Sequence, residues 1–461
     1  MKQSIIKIHR NLDIKNNFSD IKITKKLFIR TFGCQMNEYD SEKIIDILNQ
    51  KYNLFEVKSP DEADIIIFNT CSIREKAQEK VFSDLGRIKP LKQKNPELIL
   101  CVGGCVASQE GNFILERAPF VDIIFGPQTI HRIYDLIQKK LQENLPQIDI
   151  SFPEIEKFDS LPIPHRNKSS AFVSIMEGCN KYCSYCIVPY TRGIEIYRPL
   201  KDIIFEIKKL SDIGVKDITL LGQNVNAYKT NIDNKIIDFA SLLEYVHEIN
   251  GIERIRFMTS HPKEMTNKML DVYKNLYKLV SFLHLPVQSG SDKILSSMKR
   301  GYTVAEFRYV IDQLRKARPS LALSTDFIVG FPGESEEDFE NTIQLAQEIK
   351  FSSAFSFIYS ARPGTPASTF PDNVTYHEKQ SRLFKLQEVI NIHSQEFAKS
   401  LIGTKQRVLA ENVSTRDEKQ IFGRTEYNKI VNFTAPKSII GTMVDVIITN
   451  VNTNTLNARL I

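Results

Sequence analysis

Cys179, Cys183 and Cys186 stand in the stretch CNKYCSYC, three thiols at CxxxCxxC spacing with no fourth cysteine nearby. Thiolates hold iron–sulfur cubanes, ordinarily four of them, one per iron. Three thiolates on one short loop hold three corners and leave the fourth iron open to a substrate or cofactor. An open coordination position separates a working metal site from a structural one. The same spacing also admits a zinc site lacking a histidine, or plain buried thiols.

Three more cysteines follow apolar runs. Cys34 lies just beyond LFIRTF (27–32), Cys71 follows DIIIFNT (64–70) and Cys105 follows LILCVGG (98–104). Such runs read as buried parallel strands. Ligands of an open parallel sheet gather outside the carboxyl ends of its strands. Cys34, Cys71 and Cys105 can therefore converge into a second three-thiolate site. Gly33, Gly103 and Gly104 beside them let backbone approach a bulky inorganic core. The competing reading is that cysteines are common near buried strands. Cys101, inside the third run, is read that way.

These residues need elements to position them. A further run, VDIIF (121–125), and the helical periods Glu38–Lys51 and Glu75–Lys89 complete a doubly wound α/β domain over 26–145. Residues 146–168, with Pro146, Pro153, Pro162 and Pro164, read as a linker. Over 169–399, strands expected at 171–176, 217–221, 253–259, 280–285, 321–329 and 353–358 alternate with helices. Periodicity leaves open whether these six units make an open sheet or a partial barrel. A long amphipathic helix is expected at 377–400. After Gly403, QRVLAEN, IFGRTEY, KIVNF, MVDVIITNV and TLNARLI predict a small β-barrel over 400–461. The fold class is thus α/β with a C-terminal β-barrel.

An apolar content of 42% and a charged content of 25% over 461 residues fit a soluble globular chain of two or three domains. No apolar run approaches the ~18 residues of a membrane span. The N-terminus lacks an apolar signal region. Clustered, metal-like cysteine spacings favour a reducing, cytoplasmic compartment. The net charge of +6 is uneven. Residues 1–30 carry eight Lys and Arg against two Asp, and residues 401–461 carry eight against five acidic residues. Basic ends suggest a polyanionic partner at the periphery. For residues 1–25 a solvated, disordered extension is an equal reading. In the C-terminal barrel, Lys405, Arg407, Arg424, Tyr427, Lys429 and Phe433 mix charges that hold phosphate with rings that stack on unpaired bases.

The longer frames around the cysteines carry a resemblance. They are MEGCNKYCSYCIVPYTRG (176–193), TFGCQMNEYDSE (31–42), NTCSIREKAQEKVFSDLG (69–86), VGGCVA (102–107), LLGQNVNAY (220–228), LHLPVQSGSD (283–292) and DFIVGFPGE (326–334). From about residue 27 to the C-terminus the chain resembles the radical S-adenosylmethionine methylthiotransferases. Within them it is most similar to those that act on N⁶-(dimethylallyl)adenosine next to the anticodon of tRNA. Ile194 and Tyr197 stand where this family more often has Glu and Ser.

The resemblance implies a methylthiotransferase domain, a partial (β/α)6 radical barrel and an RNA-binding TRAM barrel. It implies two 4Fe–4S clusters, one on Cys179, Cys183 and Cys186 and an auxiliary one on Cys34, Cys71 and Cys105. It also implies S-adenosylmethionine as source of both a methyl group and a radical. The C2–H bond of adenine resists acid–base chemistry, so no catalytic side chain is expected beyond the cluster ligands. Cofactor contacts are expected at strand carboxyl ends: Gln223 and Asn224, Gln288 and Ser289, Gly330 and Glu334, with Tyr185 seating the adenine. Turn geometry alone is the alternative for each, and ring packing for Tyr185. Arg192 is expected to pair with a carboxylate or phosphate, in the site or structurally. Implied partners are a tRNA anticodon stem-loop, an electron donor such as flavodoxin or ferredoxin, and a sulfur donor. A monomer with no membrane partner is expected. The rival readings are a methylthiotransferase for threonylcarbamoyl-adenosine or for a ribosomal-protein aspartate, and a zinc-containing RNA-binding protein.

Overall fold

The structure, a computed structural model, describes residues 22–72, 75–153, 156–162 and 169–461. Most of the expected extension (1–25), residues 73–74 of the NTCSIRE motif and parts of the 146–168 segment lie outside the described residues.

Strands β1 (Thr24–Thr31), β2 (Asn53–Glu56), β3 (Ile65–Thr70), β4 (Ile99–Gly104), β5 (Ile123–Phe125) and β6 (Gln147–Asp149) form one sheet in the order β2-β1-β3-β4-β5-β6. Every pairing in it is parallel. Its central strands β3 and β4 open on uninterrupted apolar runs because both faces are covered. Ile66, Phe68, Leu100 and Val102 pack on one side with Val81 and Leu85. Ile65, Ile67, Ile99 and Cys101 pack on the other with Ile44 and Leu48. Cys101 is therefore a core thiol. The edge strands β2 and β6 escaped the sequence reading because they are short and lack an apolar run. Strand β6 draws the start of the expected linker into this sheet, and the later Lys157 and Phe158 of that segment are buried.

The central region starts with β7 (Ser170–Ser174) and the short pair β8 (Met176–Glu177) and β9 (Ile196–Tyr197), which brackets the CxxxCxxC loop. Then come β10 (Asp217–Leu221), a hairpin β11 (Lys229–Ile232) and β12 (Lys235–Asp238), β13 (Arg254–Phe257), β14 (Phe282–His284), β15 (Ala322–Val329) and β16 (Ser353–Ile358). Two parallel arcs, β7-β10-β13 and β14-β15-β16, are joined by a bridge between Ile255 and Leu279. One core running from Val173 to Ile390 lies against both arcs, which settles the choice in favour of a partial barrel. Reciprocal capping boxes at Thr303/Glu306, Ser335/Asp338 and Thr375/Glu378 start the helices that cover the second arc. The last of these helices runs Tyr376–Ser400.

β17 (Lys405–Val413), β18 (Gln420–Arg424), β19 (Ile430–Thr434), β20 (Met443–Val451) and β21 (Leu456–Leu460) close into a barrel. Two buried arginines of β13 seat it. Arg254 donates to the carbonyls of Arg424 (2.8 Å) and Arg407 (2.7 Å). Arg256 donates to Thr425 O (2.7 Å) and pairs with Asp217 at 3.0 Å. Arg254 also faces Asp217, at 3.5 Å, so loss of Arg256 leaves that carboxylate one partner and strands the Thr425 carbonyl. Arg256→Met should therefore cost about 2 kcal/mol of stability, read as a lower denaturation midpoint. It should also expose the β18–β19 turn to proteolysis, and an unchanged midpoint would contradict this seat.

Candidate active site

The first triad gathers where three strands end. Cys34 caps the helix Gln35–Lys51, Cys71 follows β3 and Cys105 opens the helix Cys105–Glu110 after β4. Gly33 has φ +98°, and a Cβ there would lie 2.4 Å from Cys71 Sγ. Only glycine lets the two loops close to this distance. The Cys34 thiol is hydrogen-bonded with Cys71, and this bond, aided by nearby Arg192 against the effect of burial, pulls its pKa down to about 6. Burial pushes the Cys105 thiol up, while Arg192, within hydrogen-bond reach, opposes the shift. Asn37 knits the same strand ends together, donating to Phe32 O (3.0 Å) and Thr70 O (2.7 Å).

The second triad sits on a loop pinned from several sides. Gly178, at φ +79°, lies so close to Ile194 O that a Cβ would stand 1.8 Å from it. Gly178 N donates to Gln223 Oε1 at 2.6 Å, so Gln223 positions this loop. Ser184 donates through its amide to Met298 O (3.1 Å) and through its hydroxyl to Ser297 O (2.7 Å). Arg300 donates to Cys183 Sγ (3.4 Å) and to Pro286 O (2.8 Å). Burial pushes Cys179 up to about 11 and Cys186 up to about 12.

A cavity of about 580 Å³ opens beside the second triad, a size suited to a cofactor. Cys179, Cys183 and Cys186 line it, and so does Ser72, the neighbour of Cys71. Four of the expected cofactor residues, Tyr185, Gln223, Asn224 and Gln288, are in its wall. Ser289, Gly330 and Glu334 are not among its lining. Ser289 is buried against Thr342 (3.3 Å between hydroxyls). Gly330 faces the Lys379 stem. Glu334 is held by Arg382 at 2.8 Å and by Gly330 N at 2.9 Å. Gly330 and Glu334 serve the turn after β15, where the glycine and acid of that motif are consumed in closing it, and Ser289 belongs to the loop after β14.

Residues that the sequence did not single out complete the wall: Thr259, His261, Arg300, Asp326, Tyr359 and Arg362 among them. Thr259 and Gln288 carry positive φ, 63° and 78°, a strained backbone that clusters at functional sites. Burial, with Arg300, Lys181 and Lys263 nearby, lowers the His261 pKa to about 2. The ring is therefore neutral. Its Nδ1 accepts from Lys263 N at 3.2 Å, which leaves the proton on Nε2. Four buried atoms of the wall lack a protein partner: His261 Nε2, Asn224 Oδ1, Ser260 Oγ and Tyr359 OH. One fixed donor, one acceptor and two hydroxyls fit a ligand bearing ammonium, carboxylate and hydroxyl groups, as S-adenosylmethionine does. Among the described residues, no three His, Cys, Asp or Glu side chains are gathered closely enough to chelate one ion. A cubane makes no such demand, since it spreads its thiolates over separate irons.

Between the triads lies a buried charged network. Arg192 pairs with Asp40 (2.9 Å) and Glu177 (3.3 Å) and donates to Asn37 Oδ1 (3.0 Å). The structural form of the expected Arg192 ion pair is thus the one found. Nearby, Lys43 pairs with Glu206 at 2.7 Å, and Arg198 also reaches Glu206.

Three family models match this chain: the uncharacterized protein family UPF0004 over residues 26–126, the radical SAM superfamily over 173–346 and the TRAM domain over 399–461. The tRNA-2-methylthio-N(6)-dimethylallyladenosine synthase of Bordetella petrii is 59% identical, covering 95% of this chain and 91% of its own. That of Neisseria gonorrhoeae is 57% identical over 95% and 99%. The chain belongs to this synthase family. Among solved structures, the radical S-adenosylmethionine methyltransferase TsrM of Kitasatospora setae, with cobalamin and a [4Fe–4S] cluster bound, superposes with a TM-score of 0.56. It is 13% identical and covers 75% of this chain and 77% of its own. At that identity the likeness concerns the fold alone.

The family's TRAM barrel holds a correction. Phe433 is 1% exposed and packs inside the barrel with Val431, its strand neighbour on the same face. It cannot stack on a base. Lys429 donates to Ser352 O (3.0 Å) and Ser394 Oγ (3.3 Å), and Tyr427 packs edge-on against Phe397. Both face the radical domain. Arg424 leans on Glu411 at 3.4 Å. Lys405, paired with Asp445 at 2.7 Å, and Arg407, paired with Glu253, remain mostly exposed. Composition marked this surface as basic and aromatic; it could not separate an RNA face from a domain seam.

The thiol pKa values order the reactivity of cluster-free protein. A group lowered to about 6 is a thiolate above pH 6, whereas groups at about 11 and 12 stay protonated at neutrality. Brief alkylation at pH 7.5 should label Cys34 well before Cys179 and Cys186, as read by peptide mass spectrometry. Preferential labelling of Cys179 or Cys186 would contradict this arrangement.

Proposed function

We propose that the protein methylthiolates C2 of N⁶-(dimethylallyl)adenosine next to the anticodon of tRNA, giving the 2-methylthio derivative. The observation that carries this reading is the cavity lined by Cys179, Cys183 and Cys186, which extends to Ser72 beside Cys71 of the other triad. In this reading Cys179, Cys183 and Cys186 hold the radical-generating 4Fe–4S cluster, and Cys34, Cys71 and Cys105 hold the auxiliary one. When bound, S-adenosylmethionine on the first cluster would supply a radical that takes up a hydrogen atom, and the auxiliary cluster with a second S-adenosylmethionine would supply the sulfur and methyl group that take the place of the C2 hydrogen.

The protein's own task is placement. Gln223 and Ser184 fix the radical loop, and Arg300 gives the Cys183 sulfur a permanent positive neighbour. Asn224 Oδ1 and the Nε2–H of His261 are oriented for the ammonium and carboxylate of the cofactor. Apolar walls at Ile187, Val188, Ile328 and Leu383 keep water from a reactive radical. Lys405 and Arg407 support phosphate contact at the C-terminal barrel.

The working units of this reading are 26–145 for the auxiliary site, 169–399 for radical chemistry and 400–461 for tRNA. A monomer acting in the cytoplasm with a flavodoxin- or ferredoxin-type reductant fits it. Among the described residues no helix is long and apolar enough to cross a membrane.

Anaerobically reconstituted protein should hold about eight irons, the sum of two four-iron clusters. Cys183→Ala should halve the iron and abolish 5′-deoxyadenosine formation. Nucleoside mass spectrometry of tRNA from a deletion strain should lose 2-methylthio-N⁶-(dimethylallyl)adenosine, and its persistence would refute the substrate assignment.

A further inference from the structure

Lys157 comes from the segment between the first two domains, where composition gave no reason to expect a buried charge. Its side chain is 2% exposed, and its Nζ bridges Asp40 (2.9 Å) and Glu177. Asp40 lies on the helix that begins beside Cys34. Glu177 lies two residues before Cys179. Arg192, six residues beyond Cys186, pairs with the same two carboxylates. Two cations and two anions from three parts of the chain thus neutralise one another in the interior.

The network reaches the auxiliary triad directly. Arg192 donates to Asn37 Oδ1 at 3.0 Å, the oxygen that the Cys34 thiol also approaches at 3.5 Å. A buried ion network is poorly explained as a source of stability, because apolar packing of equal volume commonly serves as well. Its best-attested use is to specify one register over others. Here the elements in register are those that carry the two cysteine triads.

We propose that Lys157 is a positioning residue, the bolt of a charge latch with Asp40, Glu177 and Arg192. The latch holds the auxiliary triad at the correct reach from the cofactor cavity. It rests on the two-cluster reading above. Without Lys157, two carboxylates from different domains share one guanidinium, a buried net charge of −1. The domains then relieve it by shifting apart, while each triad keeps its own loop.

Lys157→Met preserves length and removes the charge. The variant should keep full iron and form 5′-deoxyadenosine within about threefold of wild type. Its methylthiolated tRNA should fall at least tenfold, so radical formation becomes uncoupled from transfer. Lys157→Met/Asp40→Asn restores neutrality and should recover at least half of the lost coupling. In cluster-free protein, hydrogen exchange of the helix Gln35–Lys51 should accelerate in the single variant and return toward wild type in the double. Equal loss of 5′-deoxyadenosine and product, or unchanged exchange, would overturn the latch. Wild-type protein that makes no methylthiolated product would instead refute the functional reading, and the exchange data would still decide the latch.

Discussion

Arg192 brings a permanent positive charge into the interior, beside Asp40, Glu177, Asn37 and the thiols of Cys34 and Cys105. Burial alone disfavours that charge, and the surrounding anions and thiols more than offset it, holding the group well above the ordinary guanidinium range. This one side chain belongs to the radical loop and yet completes the surroundings of the other triad. It ties the first two domains together, and it aids the Cys71 hydrogen bond in lowering the Cys34 pKa.

The same logic repeats at the other end of the central barrel. Arg254 and Arg256 leave β13 to satisfy carbonyls of the C-terminal barrel. A guanidinium suits this work because its planar fork serves several oxygens at once. Both seams add these polar contacts to apolar ones: Met36 and Tyr39 pack with Leu221 at the first, and Tyr427 packs with Val280 and Phe282 at the second. Such contacts fix orientation, which the proposed function requires of a barrel that would present RNA to the cavity.

Much of this was legible in the sequence because the periodic signals are strong. Uninterrupted runs such as DIIIFNT gave the central strands, and the cysteines at their ends gave the first triad its place. The choice between open sheet and partial barrel was closed to periodicity, because closure is a long-range property of strand pairing. The wall of the site was half legible. Gln223, Asn224 and Gln288 follow strands as expected, whereas Glu334 of the same kind of motif turned inward to Arg382. His261 could have been found, since it follows the strand Arg254–Phe257 at its carboxyl end. Lys157 could not: a lone lysine among prolines carries no local sign that two carboxylates far away in sequence will meet it. Phe433 and Lys429 erred for a related reason, because composition counts aromatic and basic residues without saying which way a strand turns them.

On this reading the two cysteine triads, on either side of one domain boundary, hold clusters that serve a single cavity. Iron anomalous diffraction from anaerobically reconstituted crystals tests it most directly. Two separate iron clusters are expected, one against Cys34, Cys71 and Cys105 and one against Cys179, Cys183 and Cys186, both open to the space lined by Asn224 and His261. A single cluster, or two clusters separated by a continuous protein wall, would contradict it.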